Sequence, residues 1–377
     1  MPEVGDRQRF YEHVLGSLAT AALGDAMGAA TEQHAIPEIL DEYGGLLRDL
    51  LAPSSDTFSA GNLPGQITDD TSQMFALAEA LIAADGELSE DAWVNKLVDW
   101  SRTSPMARMM GPTTRPLLEA ISAGEDTSHI GRVGTSTRKL TSFGATNGAA
   151  MRIAPAGLVF PGDLEGAVRL AWLTARPTHD TQIAAAGAGA IAAGVAHALE
   201  MGADVYSVTQ ACLWGARFGE ELGAREGRLI AGPSVVRRIE IAIEEALTAR
   251  GLEEALRRIE ASVGNSVMTV ESVPAAVGIF VAAGGDPLET VVGGTNIGND
   301  SDTIAAMAGS LAGTLRGIGA VPLGLYETVK SVNSEDMEAL AAGLTEIAWR
   351  RVSSAQTARG HEESSVVSRQ SARAVSD

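Results

Sequence analysis

GNDSDTIAAMAGSLAGTL, residues 298–315, holds both the architecture and the chemistry of this chain in one stretch. Its second half puts Ile304, Met307, Ala308, Leu311, Ala312 and Leu315 at three-four spacing, the pattern of a buried helix face. Its first half feeds Asp300, Ser301, Asp302 and Thr303 into the turn that opens that helix. Far upstream, GQITDDT at 65–71 repeats the arrangement: Thr68, Asp69, Asp70 and Thr71 run into a helix whose face is Met74, Leu77, Ala78, Leu81 and Ile82. The rest of the sequence follows the same periodicity. Aromatic residues are only 4%, and alternating β-branched runs between hairpin turns are scarce. Between Leu158 and Gly202 small residues surround the helix on all sides, which suits close packing inside a large bundle. Residues 236–261 predict two amphipathic helices broken at Gly251. These readings predict an all-α fold, a compact orthogonal multi-helix bundle.

The 377 residues form one domain over 8–350, since no Pro/Ser-rich linker divides them. The last 26 residues, 352–377, are polar and read as a disordered tail. The turn-rich segments around 51–67 and 123–147 are long enough to be functional loops. The charge balance, 28 basic against 48 acidic residues, gives −20 and argues against nucleic acid or an anionic membrane as partner. The one cysteine, Cys212, sits in an apolar stretch and reads as buried filler, with no disulfide and no thiolate metal site. No signal-peptide pattern opens the chain, and no run of about 18 apolar residues occurs, so a cytoplasmic protein is expected.

Asp and Thr are favoured helix caps, and acids in a first turn complement the helix dipole, so capping accounts for either oxygen-rich turn taken alone. Capping does not require adjacent paired acids twice. Two such turns facing each other present a set of hard oxygens suited to divalent Mg²⁺ or Ca²⁺. Three further segments are informative. In GDAMGAATE, 24–32, the glycines permit close helix approach, and Glu32 stands past the turn, as a surface residue or a functional one. In TNGAAMRIAP, 146–155, small residues could let backbone N–H groups cradle a diphosphate or sugar with Arg152 as charge partner, or Arg152 could tie down a neighbouring carboxylate. His179, in RPTHDTQ, is a local hydrogen-bonding group or a pocket residue. Asp286-Pro287-Leu288-Glu289 has capping-box spacing and reads as structural. No Walker loop, nucleophile elbow or HExxH motif is present.

In order along the chain, GDAMGAATE, TDDT, NGAAMRIAP, the Thr178-His179 pair, ESVPAAVGIF at 271–280 and GNDSDTIAAMAGSLAGT resemble the ADP-ribosylglycohydrolase family, which includes the dinitrogenase-reductase-activating glycohydrolases. The resemblance spans about 24–314 and implies that family's all-α fold with a binuclear Mg²⁺ centre, Mn²⁺ being the variant. It implies Thr68, Asp69, Asp70, Asp300, Asp302 and Thr303 as ligands and Glu32 as an acid at the pocket mouth. It places Phe143, Gly144, Asn147, Gly148 and Arg152 in the loop that holds the substrate's diphosphate and distal nucleoside, with His179 nearby. Two departures stand out: Asn299 replaces a glycine, and SFGATNGAAMR has Phe143 in place of tyrosine and two additional residues. The expected reaction is Mg²⁺-dependent hydrolysis of a ribosyl glycosidic bond, with Glu32, Asp69, Asp70 or Asp302 taking the proton of the attacking water. The substrate is an ADP-ribosylated protein or small-molecule conjugate. The alternatives are a ribosyl compound or nucleoside lacking the diphosphate, and a non-catalytic relative that only binds ADP-ribose or is structural.

Overall fold

Glycines spaced along two distant helices decide how the bundle closes. The computed structural model describes residues 4–354, and among them no strand occurs, only three isolated bridges. The bundle includes α1 (Val4–Gly28), α2 (Asp69–Ala83), α3 (Gln182–Ala198), α4 (Val205–Glu226), α5 (Thr269–Ala282), α6 (Pro287–Asn296) and α7 (Ser301–Arg316). A Cβ on Gly16 would sit 2.5 Å from the Gly313 carbonyl oxygen, and one on Gly28 would sit 2.5 Å from Asp302 Cα. Backbone therefore lies on backbone along the pair, and only glycine leaves room for it. Gly16 meets Gly313, Gly24 meets Ala305 and Gly28 meets Asp302, so α1 and α7 run antiparallel. The end of α1, and Glu32 just beyond it, is thereby held against the start of α7.

The Ala/Gly-rich stretch behaves the same way. Gly189 of α3 approaches Gly215 of α4, where a Cβ would lie 2.6 Å from the carbonyl oxygen, and Gly223 lies as close to Gln182. Cys212 fills the space opposite Gly194 and is fully buried, and burial pushes its thiol up to about 12. It is inert filler, as its sequence context predicts.

Segment 236–261 forms two helices, Val235–Thr248 and Leu252–Ser262, with Gly251 at the break. Asp286 caps α6 by accepting from Glu289 N at 2.9 Å, but Glu289 does not return the bond: its carboxylate forks onto Arg48 at 2.7 and 2.8 Å. A final helix covers 337–354, so residues 352–354 continue it; the remainder of the predicted tail, 355–377, lies outside the described residues. Among the described residues no helix is long and apolar enough to cross a membrane.

Candidate metal centre

The turn before α2 is fixed from two sides. Thr68 is its N-cap; its hydroxyl accepts from Asp70 N at 3.3 Å and donates to Asp70 Oδ2 at 3.1 Å. From α1, the fully buried Asp25 carboxylate accepts from Thr68 N at 3.0 Å and Thr71 N at 3.1 Å. Asp69 Oδ2 accepts from Gln73 Nε2, one turn on, at 3.0 Å. Thr68 and Asp25 thus satisfy the backbone donors, and neither Asp69 nor Asp70 acts as the cap.

The turn before α7 is built differently. Asp300 occupies the N-cap position but its side chain makes no cap bond; it accepts instead from Asn147 Nδ2. Asp302 Oδ1 accepts from Thr303 N at 2.8 Å. The turn is tied to the chain after α1: Gln33 N donates to Asn299 O at 2.7 Å, and Asn299 N donates to His34 O at 2.9 Å. Both Gln33 (φ 67°) and Asn299 (φ 55°) are left-handed. Asparagine adopts that conformation more readily than most residues, which is why it can replace glycine here.

Together these supports bring Glu32, Asp69, Asp70, Asp300, Asp302 and Thr303 onto the wall of one cavity of about 570 Å³, with Asn147 and Gly148 beside them. Glu32 is buried, and Ser59 from the 51–67 loop donates to its Oε2 at 3.0 Å. The electrostatics are those of crowded, desolvated carboxylates. Burial pushes Glu32 up to about 7, with the charges of Asp300 and Asp25 adding and the Ser59 hydroxyl opposing. Burial raises Asp300 to about 6, and the Asn147 hydrogen bond restrains it. Asp69, Asp70 and Asp302 are held well above the carboxylate range by burial and by the charges of neighbouring carboxylates, Asp25 and Asp300 among them in each case.

Do these residues fit a divalent cation? Asp70 Oδ1 is buried without a hydrogen-bond partner, and none of the five cavity carboxylates pairs with a lysine or arginine among the described residues. The acids and Thr303 offer hard oxygens, and among the described residues no thiolate or imidazole lines the cavity. Among the described residues no three His, Cys, Asp or Glu side chains are gathered into a group that could hold one metal ion. Mg²⁺ does not require such a group, because it keeps several waters and uses one or two carboxylates per ion. The residues fit.

Four predicted substrate residues stand off the cavity. The Phe143 ring packs on Gly131 with Lys139 Nζ 5.4 Å from its centroid, and its carbonyl accepts from Arg228. Gly144 (φ 77°) is bonded to Thr113 and Thr181. Arg152 is fully buried and cannot pair with a ligand's charge; its partners are Gln73, Thr174 and Thr178, with the Trp93 ring beneath it. His179 is buried between Thr178 and Thr146, which leaves the direct contact with the cavity to Thr146. Its partner in the sequence, Asp180, pairs with Arg228 at 3.0 Å.

Residues without a motif complete the wall: Phe58, Arg108, Met109, Met110, Thr114 and Arg115. Arg108 also bonds Asn62 and the Phe58 carbonyl, which ties the Ser59 loop to the cavity. Phe58 lies in the 51–67 loop expected to be functional, and nothing in the sequence marks Arg108, Met109, Met110 or Thr114. Asp25 is another matter, since a carboxylate on the small, apolar face of α1 requires buried partners.

The family model described as ADP-ribosylglycohydrolase matches residues 6–354. The chain is 31% identical over 344 residues to the uncharacterized protein YegU of Escherichia coli K12, covering 90% of this chain and 98% of that one. It is 24% identical over 364 residues to human ADP-ribosylhydrolase ARH3, covering 85% and 90% of the two chains. A solved structure titled ADP-ribosylglycohydrolase-related protein complex superposes with a TM-score of 0.63 at 25% identity, covering 90% of this chain and 99% of its own.

Proposed function

The chain belongs to the ADP-ribosylglycohydrolase family, and on that premise we propose that it hydrolyses the glycosidic bond joining ADP-ribose to a protein or small-molecule acceptor, with two Mg²⁺ (or Mn²⁺) as cofactors. One observation carries the reading: two helix starts and Glu32, from three distant parts of the chain, deliver five carboxylates to one cavity, none of them in an ion pair with a lysine or arginine among the described residues.

Asp69, Asp70, Asp300 and Asp302, with Thr68 and Thr303, would hold the ions. Bound there, divalent cations supply positive charge that orders the ribose hydroxyls and polarises the reacting centre. The chain does the rest. Asn147 fixes the Asp300 carboxylate, and Gln73 fixes Asp69, so the ligand oxygens are oriented before substrate arrives. Ser59 occupies Glu32 Oε2 and leaves Oε1 to take a proton from the water attacking the anomeric carbon. The bond from that carbon to the acceptor breaks as the new carbon–oxygen bond forms, and the proton returns to the departing acceptor atom. Thr146, Asn147 and Gly148 give the sugar its polar wall, and Arg108 and Arg115 are the cationic groups available to an anionic distal half.

A second reading, a ribosyl substrate without a diphosphate, draws on the burial of Arg152 and the packing of Phe143 away from the cavity. The test is a metal-supplemented hydrolysis screen of ADP-ribosyl-arginine, O-acetyl-ADP-ribose and simple nucleosides, reading released ribosyl product, with ADP-ribose as competitor. Turnover of an ADP-ribosyl conjugate, inhibited by ADP-ribose, supports the first reading. Turnover of nucleosides alone moves the assignment to the second. Metal-supplemented protein that binds ADP-ribose and releases no product from any substrate defeats both.

A further inference from the structure

The buried guanidinium of Arg152 lies between the acidic wall and the 142–152 loop, and it reaches both. On one side, Nη1 donates to Gln73 Oε1 at 2.8 Å, and Gln73 Nε2 donates to Asp69 Oδ2 at 3.0 Å. On the other, Nη2 donates to Thr178 Oγ1 at 3.0 Å, and that hydroxyl lies 2.8 Å from His179 Nδ1. His179 Nε2 lies 3.0 Å from Thr146 Oγ1, which donates to Thr113 Oγ1 at 3.0 Å. Thr146 stands on the cavity wall next to Asn147 and Gly148.

Direction along these chains is not free. A guanidinium has five donors and no acceptor, so both arms must begin by receiving a proton from it. Gln73 must turn its oxygen to Arg152, which leaves its amide to donate to Asp69. Thr178 must accept from Arg152, which leaves its hydroxyl proton for His179 Nδ1, closer than its other acceptor, Ala175 O, at 3.4 Å. His179 is then the tautomer with its proton on Nε2, donating to Thr146. Burial and the Arg152 charge push the imidazole well below its usual range, which agrees with one ring proton rather than two.

We infer that Arg152 is a positioning residue that orients two separate elements of the site: Asp69 through Gln73, and the Thr146–Gly148 wall through Thr178 and His179. The inference rests on the functional reading above, in which Asp69 holds a cation and Thr146–Gly148 face the sugar. Arg152 has no carboxylate partner among the described residues, and the Trp93 ring lies 5.4 Å from its guanidinium carbon. A buried arginine so placed is held by its donors and by cation–π contact, not by an ion pair.

Two arms allow two independent cuts. Gln73→Met breaks only the Asp69 arm, and Thr178→Val breaks only the His179 arm while Arg152 keeps the Thr174 carbonyl. Each protein is examined for Mn²⁺ affinity by calorimetry, for ADP-ribose affinity at saturating Mn²⁺, and for melting temperature. The expected result is a crossed pattern. Gln73→Met weakens Mn²⁺ about tenfold, as loss of a hydrogen bond to a charged group does, and leaves ADP-ribose affinity within about twofold. Thr178→Val weakens ADP-ribose about fivefold and leaves Mn²⁺ within about twofold. Arg152→Met loses both, and Arg152→Lys, with donors but no fork, recovers part of each.

If both single variants reduce the two affinities in parallel, or neither does, Arg152 is only structural and the inference is overturned, whatever Arg152→Met does to folding. Wild-type protein that binds no Mn²⁺, or no ADP-ribose with Mn²⁺ present, defeats the functional reading itself. Wild-type protein that binds both without the crossed pattern defeats only the role of Arg152.

Discussion

The turns that open α2 and α7 carry almost the same residues and are supported by opposite means. Before α2, the donors of the turn are satisfied by Thr68 and by Asp25 reaching across from α1, so support comes through the backbone. Before α7, the backbone is tied to the Gln33–His34 turn, and the Asp300 side chain is held separately by Asn147. One turn is anchored by a buried acid that never meets the cavity. The other is anchored by left-handed backbone and a side-chain amide. Similar local sequence therefore ensures similar donor oxygens, while the surrounding structure decides how firmly each is held and by what.

Removing one acid from either turn has the largest expected effect. Asp69→Asn and Asp302→Asn are each expected to abolish divalent-ion binding in calorimetry and lower turnover by at least about 10³-fold, with circular dichroism unchanged. Full turnover of Asp302→Asn in the presence of chelator would end the proposed mechanism. Next in size is the difference between anchors. Asp25→Ala strands the buried Thr68 and Thr71 amides and should cost about 3 kcal/mol in denaturant unfolding. Asn147→Ala frees Asp300 and should cost about 1 kcal/mol while reducing turnover roughly tenfold. An equal stability loss in the two variants would show that the turns are anchored alike after all.

The charge on these anchors gives a pH test of the metal-free protein. Glu32 and Asp300 keep their protons in the folded state up to about 7 and about 6, whereas the unfolded chain releases them near 4. Between those values the folded state binds more protons, so stability present below about pH 4 is lost as pH rises toward 7. The loss is on the order of 3 kcal/mol from Glu32 alone, and chelated protein should melt lower at pH 7 than at pH 5. Added Mg²⁺ should remove most of that slope. A flat melting profile in chelator would contradict the buried-carboxylate picture. Smallest of all, Asn299→Gly should leave stability within about 0.5 kcal/mol, because glycine adopts the φ of 55° without strain but gains entropy on unfolding.

Much of the fold is legible because helical periodicity is a local property. Leu77, Leu81, Met307 and Leu311 mark their faces without reference to any partner, and all four are buried. The oxygen-rich turns are legible for a related reason, since paired acids exceed what capping needs. Asp25 was within reach of the same logic, as a lone carboxylate on a face of alanine, leucine and glycine. Arg152 shows the limit. Its two sequence readings, ligand partner or tie to a neighbouring carboxylate, differ only in what surrounds the guanidinium. The fold answers with burial and an indirect tie to Asp69 through Gln73. Phe143 and His179 are further cases, placed by packing on Gly131 and between two threonines. Arg108, Met109 and Met110 reach the cavity from a short turn of helix that carries no motif.

The sequence was enough to establish that the chain is helical, that two turns concentrate hard oxygens, and that the glycines at 24 and 28 permit close helix approach. Tertiary structure alone decided that α1 and α7 use those glycines antiparallel, which sets Glu32 beside Asp302 across 270 residues of chain. It also decided which polar side chains face the cavity and which are enclosed behind it. The physical reason is that periodicity and capping act over one or two turns. Burial, hydrogen-bond direction and carboxylate crowding depend on atoms that only the closed bundle brings together.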